Sequence, residues 1–416
     1  MTLSTVSAVR LFSALSLLIS KHSAEPRRHV HLNALRFACL AAFAGLAVVP
    51  LEAQTAYFNG VVSTVGSGIS GTWNAAVDAN GDVFATGYSS NNNVYEILAG
   101  TGGAANGQVN SSSTVITVGS GISNPDGVAV DGNGNVFVVA FNSTAVYEIV
   151  AGTGGAASGQ VNSSSTVITV GSALSTPVGV ALDAGGDVFV ANYGNSLVKE
   201  IEAGTGGAAS GHVNSSSTVI TVGSGFSGAW GVAVDASGDV FVGDRGANEV
   251  KEIVAGTGGA AAGTVNSSST VNVVGSGFDA PFAVALDASG DVFVADYGDS
   301  KVEEIEAGTG GAASGHVNSS STVVTLGSGV SNPYGVAVNA GGEVVVAGEA
   351  GVQKIDLATA NFGTVNVGSS TSLTLSFTFT SGGTIKAPAV LTQGATGLDF
   401  TDKGTGSCTT NGTSHS

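Results

Sequence analysis

A pentapeptide close to Gly-Val-Ala-Val-Asp, followed after a short turn by Asp-Val-Phe-Val, returns six times along the chain. Its closing acid is Asp78, Asp131, Asp183, Asp235 and Asp287, with Asn339 in the last copy; successive copies lie 52 or 53 residues apart. One copy reads Gly231-Val-Ala-Val-Asp-Ala-Ser-Gly-Asp-Val-Phe-Val-Gly-Asp-Arg-Gly-Ala-Asn-Glu-Val-Lys-Glu-Ile253. A Gly-rich linker, Ala-Gly-Thr-Gly-Gly-Ala-Ala, and a Val-Asn-Ser-Ser-Ser-Thr segment then follow, nearly unchanged from copy to copy. A period of this length means that one supersecondary unit is stacked on its neighbours, since a single unit cannot bury its apolar faces alone.

Each unit predicts four short strands. In the quoted copy these are Val232–Asp235, Asp239–Val242, Val250–Val254 and Thr270–Val274. The turn Ala236-Ser237-Gly238 offers Gly for positive φ and an Asp able to bond the turn backbone. The first two strands are apolar on both faces, as strands sandwiched between neighbouring sheets must be. The first is also rich in Gly and Ala, which suits sheets converging on an axis. Repeated four-stranded sheets at this period specify an all-β, six-bladed β-propeller. A lone strand, Val61–Val65, precedes the first unit, and the last unit ends near Ile355 after three strands. The N-terminal strand is therefore expected to complete the last blade and close the ring, removing two exposed edges. The propeller is assigned to residues 57–357.

The repeat lacks the Gly-His and Trp-Asp pairs of WD40 units and the double-glycine strand of kelch. Gly231-Val-Ala-Val-Asp, Gly238-Asp-Val-Phe-Val-Gly-Asp244 and Asn248-Glu-Val-Lys-Glu-Ile253 closely resemble the NHL repeat, over about residues 60 to 357. That resemblance implies a propeller and little about purpose, because one fold hosts many functions. The long Gly-rich loop before the fourth strand departs from the family pattern.

Two flanking regions have other signatures. Residues 1–53 read as a secretory signal peptide: Arg27, Arg28 and Arg36, an apolar stretch, then Ala53 at a plausible cleavage point. The uncharged run Phe37–Leu51 is shorter than the roughly 20 residues of a spanning helix, so no stable membrane span is expected after cleavage. The expected location is extracellular or the cell envelope. After Ala358 the period stops, and Ser372-Leu-Thr-Leu-Ser-Phe-Thr-Phe-Thr380 alternates with period two. Residues 358–416 are read as a partial immunoglobulin-like β-sandwich, too short for seven strands, with Cys408 separated from a partner.

Composition removes several functions. With 12 Lys+Arg against 30 Asp+Glu and a net charge of −18, the chain lacks the basic clusters that phosphate backbones require, so no nucleic-acid partner is expected. Histidine gives no catalytic signal: His212 and His316 occupy a loop position that holds Gln108, Gln160 and Thr264 in other copies, and His415 is near the C-terminus. They are read as solvated loop residues. Asp78-Ala-Asn80-Gly-Asp82 imitates the start of a calcium loop, but Val83 and Ser89 stand where Gly and a bidentate Glu belong. The Gly-Thr-Gly-Gly loops lack the helix and Lys-Ser/Thr of a phosphate cradle and are read as flexible connectors. Catalytic residues, metal sites and cofactors are accordingly expected to be absent.

The informative positions are those that change type between near-identical copies. One lies just before the first strand: Trp73, Asp126, Val178, Trp230, Phe282 and Tyr334. Another follows the second strand: Tyr88, Phe141, Tyr193, Arg245, Tyr297 and Glu349. In a propeller both fall on one face, around the channel mouth. Four aromatics in each series make a rim suited to sugar faces or peptide side chains. The expected function is a binding or interaction module whose partner is an extracellular glycan or protein. A structural protein presenting its C-terminal domain, and a metal-dependent propeller lyase or lactonase, are the alternatives. Asp244, Asp296 and Asn192, one residue before the second series, are expected to cap the loop.

Overall fold

The computed structural model describes residues 60–87, 91–327 and 329–357, with the backbone of four short strand segments outside them. Within this span six four-stranded antiparallel sheets form the blades of a propeller. The first five blades each take their strands consecutively, innermost to outermost. Blade 4 is Ala229–Val234, Val240–Asp244, Glu249–Ile253 and Val271–Ser276. The sixth comprises Pro333–Val338, Val344–Gly348 and Gly351–Asp356, and its outermost strand is Val61–Thr64, in register Val61↔Asp356 to Thr64↔Gln353.

The core lies in the seams between blades. One cluster joins Phe84 and Val94 of blade 1 to Val128, Val136 and Ile149 of blade 2; another joins Ala75, Val83 and Ile97 to Ala337, Val345 and Val352 of blade 6. The third strand of every blade carries an isoleucine at or next to its end (Ile97, Ile149, Ile201, Ile253, Ile305, Ile355), and all six are fully buried. Burying the apolar area of such a side chain contributes roughly 1.5–3 kcal/mol. The first and sixth blades are further tied by Thr72, whose Oγ1 accepts the Gly348 N–H at 3.1 Å.

The turn between the first two strands explains the repeated acids. Asp235 Oδ1 accepts the N–H of Ser237 (2.9 Å) and of Asp239 (2.8 Å), and Asp78, Asp131 and Asp287 repeat the arrangement. The second acid of the turn reaches onward: Asp239 Oδ1 accepts the Ala255 N–H at 2.7 Å, pinning the turn to the start of the Gly-rich loop.

That loop is ordered, contrary to its reading as a flexible connector. Thr257 Oγ1 donates to the Val254 carbonyl and accepts the Thr270 N–H. Asn266 accepts the Ser268 N–H and donates to the Gly258 carbonyl, so its side chain is spent inside the loop. Gly258 has φ +60°, and a Cβ there would lie 1.9 Å from the Ser268 carbonyl oxygen. The loop also latches its neighbour: the Asn266 carbonyl accepts the N–H of Gly223 of blade 3. Near-identity of these segments follows from packing that admits little else.

Residues 1–53, read above as a signal peptide, and most of residues 358–416, read as a partial β-sandwich, lie outside the described residues. Of these regions only Phe377–Phe379, which pairs with Ala56–Phe58, and Cys408–Thr410, which pairs with Thr413–His415, are described.

Candidate functional site

The first variable series sits inside the innermost strand, not before it, and a register break explains why. Ala229 pairs with Asp244 and Gly231 with Gly243, leaving Trp230 as an extra, unmatched residue. Phe282 lies in the same break in blade 5, Tyr334 in blade 6 and Val178 in blade 3. In blades 1 and 2 the breaks span Trp73 and Asp126. A β-bulge re-aims the side chain it carries. Freed from the alternation of the pleat, this position can change type, from the Val178 that joins the core between blades 3 and 4 to the half-buried Trp230 packed against that same core.

The second series follows the second strand, and its backbone is fixed by the connection entering the blade. The N–H groups of Phe141, Arg245 and Tyr297 donate to the carbonyls of Asn124, Gly228 and Ala280. Asp244 Oδ1 accepts the N–H groups of Ser227 and Gly228, Asp296 Oδ1 that of Asp279, and Asn192 Oδ1 that of Ser175. These three side chains hold the loops, as their positions suggested.

The two series meet in one continuous aromatic stack over five consecutive blades. Tyr193 of blade 3 tilts against Trp230 of blade 4 with ring centroids 4.7 Å apart; Trp230 stacks on Phe282 of blade 5 at 4.6 Å and 12°. Phe282 stacks on Tyr297 at 4.7 Å and 6°, Tyr297 on Tyr334 of blade 6 at 4.9 Å, and Tyr334 meets Trp73 of blade 1 edge-on at 4.6 Å. The Arg245 guanidinium lies 5.0 Å from the centroids of both Trp230 and Phe282, and donates to the Tyr193 hydroxyl at 3.4 Å. The Tyr334 hydroxyl meets the exposed Glu349 carboxylate at 3.5 Å.

Not every predicted rim residue is offered to solvent. Trp73, Trp230, Tyr193, Arg245 and Tyr297 are half-buried, whereas Phe282 and Tyr334 lie beneath them, 4% and 5% exposed. Val178 is fully buried, and Asp126, at 3%, is withdrawn from a partner. The Asp126 carboxyl is pushed well above the usual carboxylate range by burial alone, with Oδ2 unpartnered. Phe141, on blade 2, is 39% exposed. Tyr88 lies outside the described residues.

Residues 174–201 match the NHL repeat. No curated protein matches the chain. Similar solved structures include virginiamycin B lyase from Staphylococcus aureus (12% identity, 73% of this chain and 99% of that one, TM-score 0.44). A nidogen/laminin complex (14%, 64% and 87%, 0.46) and the gluconolactonase XC5397 from Xanthomonas campestris (10%, 74% and 90%, 0.47) are also similar.

Beneath the stack, blades 4 and 5 differ in a way that the repeat concealed. In blade 4, Asp244 Oδ2 forms a buried ion pair with Lys251 Nζ at 2.6 Å, and Lys251 also donates to the Gly225 carbonyl at 2.9 Å. Blade 5 has Asp296 in the first place and Glu303 in the second. Asp296 is fully buried, and its carboxyl is pushed up to about 7, first by burial and further by Glu303. Burial likewise raises Glu303. Two carboxyls, both raised, thus stand in blade 5 where blade 4 has a carboxylate and an ammonium, and Asp296 Oδ2 has no hydrogen-bond partner. Only a copy-by-copy comparison of third-strand residues would have found it.

The central channel, about 250 Å³, is lined by the innermost strands: Ala, Val, Leu and Gly, with Asn74 as the one polar side chain.

Proposed function

We propose that this propeller is an extracellular or cell-envelope binding module that takes a protein partner on its aromatic face. The observation that carries this reading is the unbroken stack from Tyr193 through Trp230, Phe282, Tyr297 and Tyr334 to Trp73, flanked by Arg245. Such a surface is rigid before a partner arrives, and Trp, Tyr and Arg are the residues that dominate binding energy at protein interfaces. The stack also discriminates between partner classes. Phe282 is 4% exposed and stacks with Trp230, Tyr297 and Tyr334, so its ring is not open to serve as a sugar platform. The half-buried members of the face are Trp73, Tyr193, Trp230, Tyr297 and Arg245, a combination of aromatic rings and one guanidinium that suits an apolar peptide surface bearing a carboxylate. The side chains that line the channel supply no acid or base, which favours binding over a lyase or lactonase.

The test is a binding screen of the purified protein against glycan and protein arrays, repeated with Trp230→Ala and Tyr297→Ala. Truncating either anchor should weaken a protein hit by about 2 kcal/mol or more, roughly 30-fold. Binding unchanged in both variants would remove the aromatic face from consideration, and glycan hits sensitive to both would replace the protein partner by a sugar. We also read the pairing of Val61–Thr64 with blade 6 as the clasp that keeps the ring shut. Deleting residues 61–65 should then lower the melting temperature more than deleting one whole 52-residue copy, which leaves a ring able to close with five blades.

A further inference from the structure

The ends of the blades opposite the aromatic stack carry a second, unused arrangement. There the second acid of the turn and the glutamate near the end of the third strand lie side by side. The pairs are Asp82 with Glu96, Asp187 with Glu200, and Asp239 with Glu252; all three glutamates are buried. The Gly-rich loop of the next blade covers each pair, plugging the seam with a valine, Val317 in the case of blades 4 and 5. The residue before that valine is the variable one: Gln108, Gln160, His212, Thr264 and His316.

The seam between blades 6 and 1 shows what such a place requires. The third strand of blade 6 carries Lys354, whose Nζ sits 2.9 Å from Glu343 Oε1. The Gln108 amide, from the loop of blade 1, reaches within 2.7 Å of the same carboxylate, and because a carboxylate accepts only, the amide is assigned with its nitrogen facing Glu343. Buried carboxylate is met there by a cation and by a donor from the neighbouring loop.

Between blades 4 and 5 the cation is missing from the chain itself, because the third-strand residue is Glu252. The loop instead contributes His316. One ligating atom from each of Asp239, Glu252 and His316 lies within 4.8 Å of the other two. Asp239 and Glu252 are each 7% exposed, while His316 is open to solvent. A groove of about 370 Å³ lined by Glu252, Asn272, Asn318 and Ser319 opens beside them, with room for water to complete a coordination shell. Two carboxylates and one neutral imidazole carry a charge that one divalent ion cancels. The mixture of nitrogen and oxygen donors suits zinc, cobalt or manganese, whereas calcium takes oxygen alone.

We propose that Asp239, Glu252 and His316 bind one divalent transition-metal ion of the zinc class, clamping blade 4 to blade 5. Among the described residues the triad occurs once. His212 faces Asn135 in place of an aspartate, and Thr264 and Gln160 supply no imidazole. The site is on the opposite ends of the blades from the aromatic stack, so it stands or falls independently of the binding role proposed above.

Isothermal titration of the full chain with zinc, and cobalt absorption in the visible range, test this directly. The expected result is an ion whose binding His316→Gln weakens by at least about 10–100-fold. Glutamine already occupies this loop position in two copies, so the variant should keep its fold and its metal-free melting temperature. His212→Gln should bind as the parent does. Zinc should raise the melting temperature of the parent, reversibly on chelation, and leave that of His316→Gln unchanged. Thr264→His, which recreates the triad with Asp187 and Glu200, should add a second ion. No binding at about 1 mM zinc, binding undiminished by His316→Gln, or equal loss in His212→Gln would each overturn the proposal.

Discussion

The two ends of the blades are built from the same repeat yet behave oppositely. At the turn end almost every copy is identical, because side-chain oxygens and glycine φ values lock the turn and the Gly-rich loop into one hydrogen-bonded shape. At the aromatic end the variable residues ride on bulges and loop tips, and no two blades carry the same pair of them. Repetition is therefore strongest where backbone geometry is most constrained. Symmetry breaks where a side chain can change without moving the backbone, and that is where a specific surface can be made.

The largest expected effect tests the constraint at the turn end. Gly258 and Gly259 are adjacent and both have positive φ, +60° and +83°. A Cβ on Gly258 would lie 1.9 Å from the Ser268 carbonyl oxygen, whereas one on Gly259 meets nothing within 4 Å. Gly258→Ala must displace backbone and should cost about 3–5 kcal/mol, while Gly259→Ala should cost only the roughly 1–2 kcal/mol of an unfavourable φ. Chemical denaturation of both variants checks the ratio. Equal losses would mean that φ alone, not loop packing, keeps the copies alike.

Acid titration should sharpen the comparison next. Burial, with help from the turn acids, pushes Glu96 and Glu148 up to about 7 and Glu200 up to about 8. In the unfolded chain these groups ionise near 4.5. Between that value and 7–8 the folded state holds protons that the unfolded state has released. Stability is then greatest below the unfolded value and falls as pH rises through this window. The melting temperature should climb by roughly 5 °C or more from pH 8 to pH 5.5. Glu200→Gln should raise the pH 8 value and flatten the profile, since its amide can donate to Asp187 without a buried charge. A melting temperature that falls on acidification would contradict the placement of these carboxyls.

At the aromatic end the contrast between blades 4 and 5 gives a smaller, local effect. Glu303→Lys copies the buried Asp244–Lys251 pair into blade 5. It replaces a neighbouring carboxyl by an ammonium and should bring the Asp296 carboxyl down from about 7. A net gain of roughly 1 kcal/mol at pH 8 is expected, because the partner charge then offsets a desolvation already incurred. NMR titration of the Asp296 carboxyl carbon and a melt at pH 8 read the two consequences separately.

The six sheets, their strand order and the turn acids could be read from the repeat, because a 52-residue period and hydrophobic alternation fix them locally. The two variable series were also legible as positions. Their meeting in one stack was not, since Trp230, Tyr297 and Tyr334 belong to three blades and touch only through the ring. Nor could burial be read: Asp126 and Tyr334 occupy the same repeat position as the half-buried Trp230. His316 seemed interchangeable with Gln108 and Thr264 along the chain, and only the seam sets it beside Asp239 and Glu252.

The smallest effect concerns Phe141, which occupies the same repeat position as Tyr193 and Tyr297 but lies on blade 2, where the bulge carries Asp126 in place of an aromatic ring. With 39% of its surface in water, it contributes little burial, so Phe141→Ser should alter stability by no more than about 0.5 kcal/mol. If the binding surface is confined to the arc from blade 3 round to blade 1, this variant should bind as the parent does, whereas Tyr297→Ala should not. Loss of binding in Phe141→Ser would extend the surface across blade 2 and make the whole rim, not the stack alone, the unit that a partner recognises.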